Sequence, residues 1–237
     1  MPQVPVGIGF ESSAPETSPV TVVLTNWKRP QNLTLILDQL ATQTVKPVIF
    51  LWNNAEKFSH PAIRWMADSS VNMACQPRWW MASCAMTPFV CIMDDDLILD
   101  DTRLLEDMVA FLSHRTEQTI AGFVGVKLVP SNDYHHSVHL KAGADADQPV
   151  DIVKGRFMMM RSSALRRIHL HPSPSRDVLI CDDIRVSGSF ADGRSGQHVL
   201  PAIAAGRWRE LPNEHSLYTQ EGHFEHREKA RREAFPF

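Results

Sequence analysis

The apolar positions of this chain fall into two periods. Unbroken apolar runs occupy 20–25 (VTVVLT), 48–52 (VIFLW) and Phe89–Met93 (FVCIM). Runs of that length, partly β-branched, predict strands buried on both faces. Between the first two, Leu33, Ile36, Leu37 and Leu40 recur at helical spacing, which predicts a helix over 31–43. A second helix is expected over 102–113, with Leu104, Leu105, Met108, Val109 and Leu112 on its apolar face. Strand, helix and strand in that order imply a right-handed crossover and a parallel sheet. Shorter helices are expected over 61–67, most of 77–87, 163–168 and 184–190, and a charged one over 221–234. Further strands are expected over 122–129 and 198–203, with a strand pair or bend around Gly155 over 151–160. Residues 130–149 are polar and turn-rich, 171–176 read as a loop and 193–196 as a turn; no internal repeat is visible. The pattern is that of an α/β domain with a mostly parallel central sheet flanked by helices.

Composition narrows the class. The 237 residues suffice for one domain, and 43% hydrophobic with 22% charged residues is ordinary for a globular chain. A net charge of −3 leaves no global basic footprint for nucleic acid or an anionic membrane. No run reaches the roughly 18 apolar residues of a membrane span, and the start does not read as a signal peptide. Cys75, Cys84, Cys91 and Cys181 form no CxxC pair. Reduced, buried thiols and a cytoplasmic location are the expectation. Residues 1–18, rich in Pro, Ser and Gly, are expected to form a flexible extension ahead of a domain over 19–237.

Chemistry concentrates at Asp94, Asp95 and Asp96, directly after the Phe89–Met93 run. In an extended chain the side chains of Asp94 and Asp96 point to one side and Asp95 to the other. Two hard oxygen donors at a strand end suit Mn²⁺ or Mg²⁺, with a substrate phosphate completing the shell. A solvated acidic turn is the alternative. Ligands of parallel sheets bind beyond the carboxyl ends of the strands. On this topology 25–29, Asn53-Asn54 and the aspartates share one sheet edge.

Read in order, the pieces are strand-Thr25-x-x-x-Arg29-Pro30, strand-Asn53-Asn54, Arg78 ahead of strand-Asp94-Asp95-Asp96, Gly155-Arg156-Phe157, Cys181-Asp182-Asp183-Ile184 and a late His-x-x-x-Arg. This set resembles a GT-A-type glycosyltransferase of the family-2-like or exostosin-like groups, over nearly the whole chain. The resemblance implies a single Rossmann-like domain. It also implies a nucleotide-diphosphate sugar donor and a DxD motif, Asp94-x-Asp96, holding Mn²⁺ or Mg²⁺ against the diphosphate. Thr25, Arg29, Asn53, Asn54, Arg78, Asp94 and Asp95 then face the donor, and Gly155 with Arg156 the acceptor. Asp183, or else Asp182, is the carboxylate that deprotonates the acceptor. His223, or else His215, is a third metal ligand, and Arg227 lies one helical turn on.

Structural alternatives accompany these roles. Arg29 also reads as a loop arginine and Asn53-Asn54 as a turn pair. Asp182 or Asp183 also suits a helix N-cap. Trp79, Trp80 and Met158–Met160 read first as packing residues. The resemblance implies a hexosyl- or pentosyl-transferase acting on a hydroxyl of a glycan, a small molecule or a hydroxymethylated DNA base. The basic C-terminal helix and the histidines at 135, 136 and 139 could face a polyanion such as nucleic acid. Competing readings are a Mg²⁺-dependent nucleotidyltransferase, which would normally carry a Gly-rich loop near the first strand, and a non-catalytic sugar-nucleotide-binding module.

Overall fold

The computed structural model describes residues 18–54, 58–143, 145–168, 180–191, 196–212 and 221–236. An extension over 1–18 therefore lies outside the described residues except for Ser18, as do the loop at 171–176 and His215. The first half runs β1 (Val20–Asn26), α1 (Pro30–Thr42), β2 (Val48–Asn54), β3 (Ile63–Ser69), α2 (Pro77–Ala82), β4 (Phe89–Met93), β5 (Leu97–Leu99) and α3 (Leu104–Ser113). The second runs β6 (Ala121–Gly122), β7 (Val124–Lys127), β8 (Val138–Lys141), β9 (Gln148–Val150), β10 (Ile152–Val153) and β11 (Phe157–Arg161). A 3₁₀ turn (Ser162–Arg167) follows, then α4 (Asp182–Ala191), β12 (His198–Leu200), β13 (Trp208–Glu210) and α5 (His223–Ala234).

Eight strands form the central sheet in the order β3-β2-β1-β4-β11-β6-β12-β9. The β3-β2-β1-β4 half is wholly parallel, and β11 pairs antiparallel with both β4 and β6. Val20, Val22 and Leu24 of β1 face the α1 and α3 side, where Leu33, Ile36, Leu37, Leu40, Leu104, Leu105, Met108 and Leu112 are buried. Val23, Ile92, Met158 and Met160 face the other side, against Trp79, Met81, Val186 and Phe190. Both faces are covered, which is why the central strands read as unbroken apolar runs. Met158, Met159 and Met160 are all fully buried core residues.

Three local expectations change. Residues 61–67 do not form a helix: β3 adds to the sheet edge in parallel register, with Trp65 opposite Phe50 and the two rings edge to face at 5.1 Å. Pro61 resembles a helix N1 proline, but tertiary pairing with β2 overrides that weak signal. Helix α2 ends at Ala82, well before 87. The run over 122–129 divides at Phe123. Gly122 stays in the central sheet, whereas β7 joins a three-stranded sheet ordered β10-β7-β8. Phe123 stacks on Phe157 at 4.0 Å and on Trp208 at 5.1 Å, anchoring the crossing. The four cysteines are free thiols; Cys91 and Cys181 are buried, but Cys84 is exposed.

Gly122 is required where the two sheets meet. A Cβ there would lie 2.2 Å from Val153 Cγ1 and 2.5 Å from the Phe157 carbonyl oxygen. Gly122→Ala is expected to lower stability by about 1–3 kcal/mol, the usual cost of overpacking. A fall in the urea midpoint at unchanged slope is the expected reading.

Candidate functional site

The carboxyl ends of β1, β2 and β4 open into a cavity of about 420 Å³. The parallel registers Leu24–Met93 and Asn26–Asn53 bring these ends level. Thr25, Arg29, Asn54, Arg78, Asp94, Asp95, Asp96, Gly155, Arg156, Asp182, Asp183, His223 and Arg227 all line this one space. Asn53 lies beneath it. Its side chain accepts from Asn26 Nδ2 at 2.8 Å and donates to Asp68 at 2.7 Å, tying β1, β2 and β3 together.

At the β1–β2 end, two residues that line the cavity each carry a buried polar atom left unsatisfied among the described residues. Asn54 Oδ1 accepts from Trp52 Nε1 at 3.0 Å and from the Met73 amide at 2.9 Å, but among the described residues Asn54 Nδ2 has no hydrogen-bond partner. Thr25 Oγ1 is buried and likewise without one. Buried polar atoms are nearly always paired, so such exceptions call for an explanation.

The aspartates occupy the middle. Strand β4 stops at Met93, and the chain turns at Asp95 and Asp96, so strict two-residue alternation does not govern their directions. Asp94 Oδ1 accepts from Arg78 at 2.5 Å. Asp95 accepts from Arg29 and, at 2.9 Å, from the Trp27 amide. Asp96 Oδ2 stands 3.6 Å from Arg29. Burial pushes Asp94 up to about 6 against the pull of Arg78, with Asp96 adding to the rise. Burial likewise pushes Asp95 up to about 6 against Arg29, and raises Asp96 against Arg156. For all three aspartates burial is the first cause of the rise, ahead of any neighbouring charge.

Arg78 is the hub. It is 1% exposed. Its Nε donates to Asp182 Oδ2 at 2.8 Å, and Trp79 Nε1 donates to the same oxygen at 2.6 Å. Asp182 Oδ1 accepts from no described residue. Asp183 is differently placed. It accepts from Arg227 at 2.8 Å, from the Gly155 amide at 3.3 Å and from the Ile184 amide at 2.9 Å. Burial raises its pKa, but Arg227 outweighs that and holds the carboxyl below the usual range. A Cβ on Gly155 would lie 2.2 Å from Arg78 Nη2, so this glycine is the floor on which Arg78 lies.

The third wall comes from the β7–β8 hairpin, the residue after β10 and α5. Tyr134, His135, His139, Lys154 and Phe224 join the cavity here, and neither motif nor spacing assigns them to it. The Tyr-His-His cluster in a polar loop was the available signal. His223 is pushed down to about 4, by burial first and then by Arg227. Asp94, Asp96 and His223 line the same cavity, yet among the described residues no three His, Cys, Asp or Glu side chains form a ready metal cluster.

Two expectations follow. Asp183→Asn leaves Arg227 buried without its carboxylate and is expected to cost about 3–5 kcal/mol in chemical denaturation. The second concerns pH. Asp95 sits near 6 folded against about 3.9 unfolded, so the folded chain holds this proton more tightly. Its contribution to stability is complete below pH about 4 and is lost as pH rises through about 6. Asp95→Asn should therefore be less destabilising at pH 7 than at pH 5 in paired urea titrations.

No protein-family model matches the sequence, and no curated protein matches it. Solved structures do. The mannosyltransferase PcManGT from Pyrobaculum calidifontis, in complex with GDP-Man and Mn²⁺, aligns with a TM-score of 0.54 at 15% identity, over 80% of this chain and 56% of that one. S. aureus TarS 1–349 in complex with UDP-GlcNAc aligns with a TM-score of 0.56 at 13% identity, over 83% and 59%. The same TarS fragment with UDP gives 0.52 at 13% identity, over 77% and 57%. The chain thus spans somewhat more than half the length of these structures. At such identities the likeness is one of architecture: this chain has a GT-A-like, Rossmann-type glycosyltransferase fold.

Proposed function

We propose that the chain is a metal-dependent glycosyltransferase that moves a sugar from a nucleotide-diphosphate sugar to a hydroxyl acceptor. The observation that carries this reading is the order of groups along one cavity. Unsatisfied amide and hydroxyl groups of Asn54 and Thr25 stand at one end, and buried carboxylates follow beside Arg29 and Arg78. A base or ribose suits the first zone and a cation-bound diphosphate the second. The ligands of the similar structures, GDP-Man with Mn²⁺ and UDP-GlcNAc, are of that class.

The donor set fits a hard divalent cation. Asp94 and Asp96 offer hard oxygen donors beside one another at the cavity, and burial raises the proton affinity of both. They would hold Mn²⁺ or Mg²⁺, with diphosphate oxygens and water as further ligands. His223 stands on the far wall and is the weaker candidate. When bound, the cation supplies neutralisation of the charge that develops on the departing diphosphate.

Asp182 is the better placed of the two late carboxylates for proton transfer. Its Oδ2 is fixed by Arg78 and Trp79, which leaves Oδ1 to accept the acceptor's hydroxyl proton. The acceptor oxygen then bonds to the anomeric carbon as the bond from that carbon to the diphosphate breaks. The proton stays on Asp182 and the electron pair leaves with the nucleoside diphosphate. Asp183, held by three donors, positions Gly155 and Arg227. Among the described residues no helix is long and apolar enough to cross a membrane.

Thermal stability against a panel of nucleotide-diphosphate sugars, with and without Mn²⁺, tests the reading. A donor present at 100 times its dissociation constant is expected to add about 2.7 kcal/mol of stability. The Mn²⁺-dependent part should vanish in Asp94→Asn and Asp96→Asn, and should be larger at pH 7.5 than at pH 5, where protons compete for Asp94. Asp182→Asn should retain the donor shift while transfer falls by about 10²–10⁴-fold. No shift with any donor, or full turnover in Asp94→Asn, would overturn the assignment.

A further inference from the structure

Lys154 is the cavity's unmatched cation. It follows β10, its amide donates to the Val124 carbonyl at 2.8 Å, and its side chain lines the cavity. Among the described residues its ammonium has no ion-pair or hydrogen-bond partner. The other cations of the cavity are matched. Arg29 has Asp95, Arg78 has Asp94 and Asp182, Arg156 has Glu210 at 2.5 Å, and Arg227 has Asp183 at 2.8 Å. Burial, and next the Arg227 charge, push the Lys154 ammonium down to about 8. The Asp183 charge draws part of this back, while its hydrogen bonds go to Arg227 and to the Gly155 and Ile184 amides.

Its surroundings suit a small anion on a sugar-like body. His139 Nε2 lies 3.1 Å from the Tyr134 carbonyl, and burial holds this imidazole below its ordinary value. His135 meets Phe224 edge to face at 4.1 Å, which supplies flat apolar surface beside the charge. Position adds the decisive constraint. Thr25 and Asn54 end β1 and β2, the aspartates end β4, and Lys154 precedes β11 on the opposite side of β4. A donor whose nucleotide lies at β1–β2 and whose diphosphate lies at the aspartates leaves the Lys154 wall for what lies beyond.

We propose that Lys154 is a specificity residue that binds a carboxylate or phosphate carried by the substrate beyond the diphosphate, on the transferred sugar or on the acceptor. The placement beyond a diphosphate and the naming of those two carriers rest on the sugar-transfer reading; an anion site at Lys154 does not.

The test titrates inorganic phosphate and glucuronate into the full chain, first alone and then saturated with UDP or GDP plus Mn²⁺. Wild type is expected to bind at least one of these anions in both states. Lys154→Met should weaken that binding by about tenfold or more, Lys154→Arg should retain it, and nucleotide affinity should stay within about twofold in both variants. Anion binding unchanged by Lys154→Met, absent from wild type, or displaced by the nucleotide would overturn the proposal. Failure of UDP and GDP to bind would count against the donor reading, while the titration without nucleotide still judges Lys154. Turnover then separates the carriers. A Lys154-dependent preference for a UDP-uronate over UDP-glucose places the anion on the sugar, and one for glycerol 3-phosphate over glycerol places it on the acceptor.

Discussion

A guanidinium buried between two carboxylates holds this site together. Arg78 reaches Asp94 at the end of β4 and Asp182 at the start of α4, two segments 88 positions apart in the chain. A charge so deeply buried is tolerable only if paired and hydrogen-bonded. The pairing therefore constrains α2, β4 and α4 at once. Gly155 provides the space in which the guanidinium lies, and the Trp79 indole fixes the second carboxylate from the same helix. The apolar clusters on the two sheet faces supply the stability that permits such a polar centre.

A second pair extends the same logic to the end of the chain. Arg227 on α5 meets Asp183 and lies over the Tyr134 ring at 4.7 Å. Adjacent aspartates on α4 thus face opposite walls, Asp182 towards Arg78 and Asp183 towards Arg227. Each orients part of the cavity before any ligand arrives. Preorganised charges of this kind do not have to reorient when charge develops in a reaction. The arrangement also separates the roles of neighbouring acids: the carboxylate saturated by donors is structural, and the one with an open oxygen can do chemistry.

The parallel core was legible because strands covered on both faces leave no polar alternation, so β1, β2 and β4 stand out as apolar runs. The grouping of Thr25, Arg29, Asn54 and the aspartates at one edge also followed, since parallel strands all present their carboxyl ends the same way. Local signals misled where tertiary pairing is the stronger term. β3 carries a proline-led, helix-like segment that the β2 edge captures, and β5 and β13 are three-residue strands that form only against each other.

The sequence by itself determined the parallel core of β1, β2 and β4, its polarity and the acidic edge, because these depend on side-chain periods and chain order. The tertiary structure decided which partner each charge takes. It gave Asp95 to Arg29, Asp94 and Asp182 to Arg78, and Asp183 to Arg227, and among the described residues it left Lys154 without an acid. Those choices rest on distances between segments tens to more than a hundred residues apart. Coulomb energies at contact change steeply with separation and burial, and no spacing along the chain encodes either.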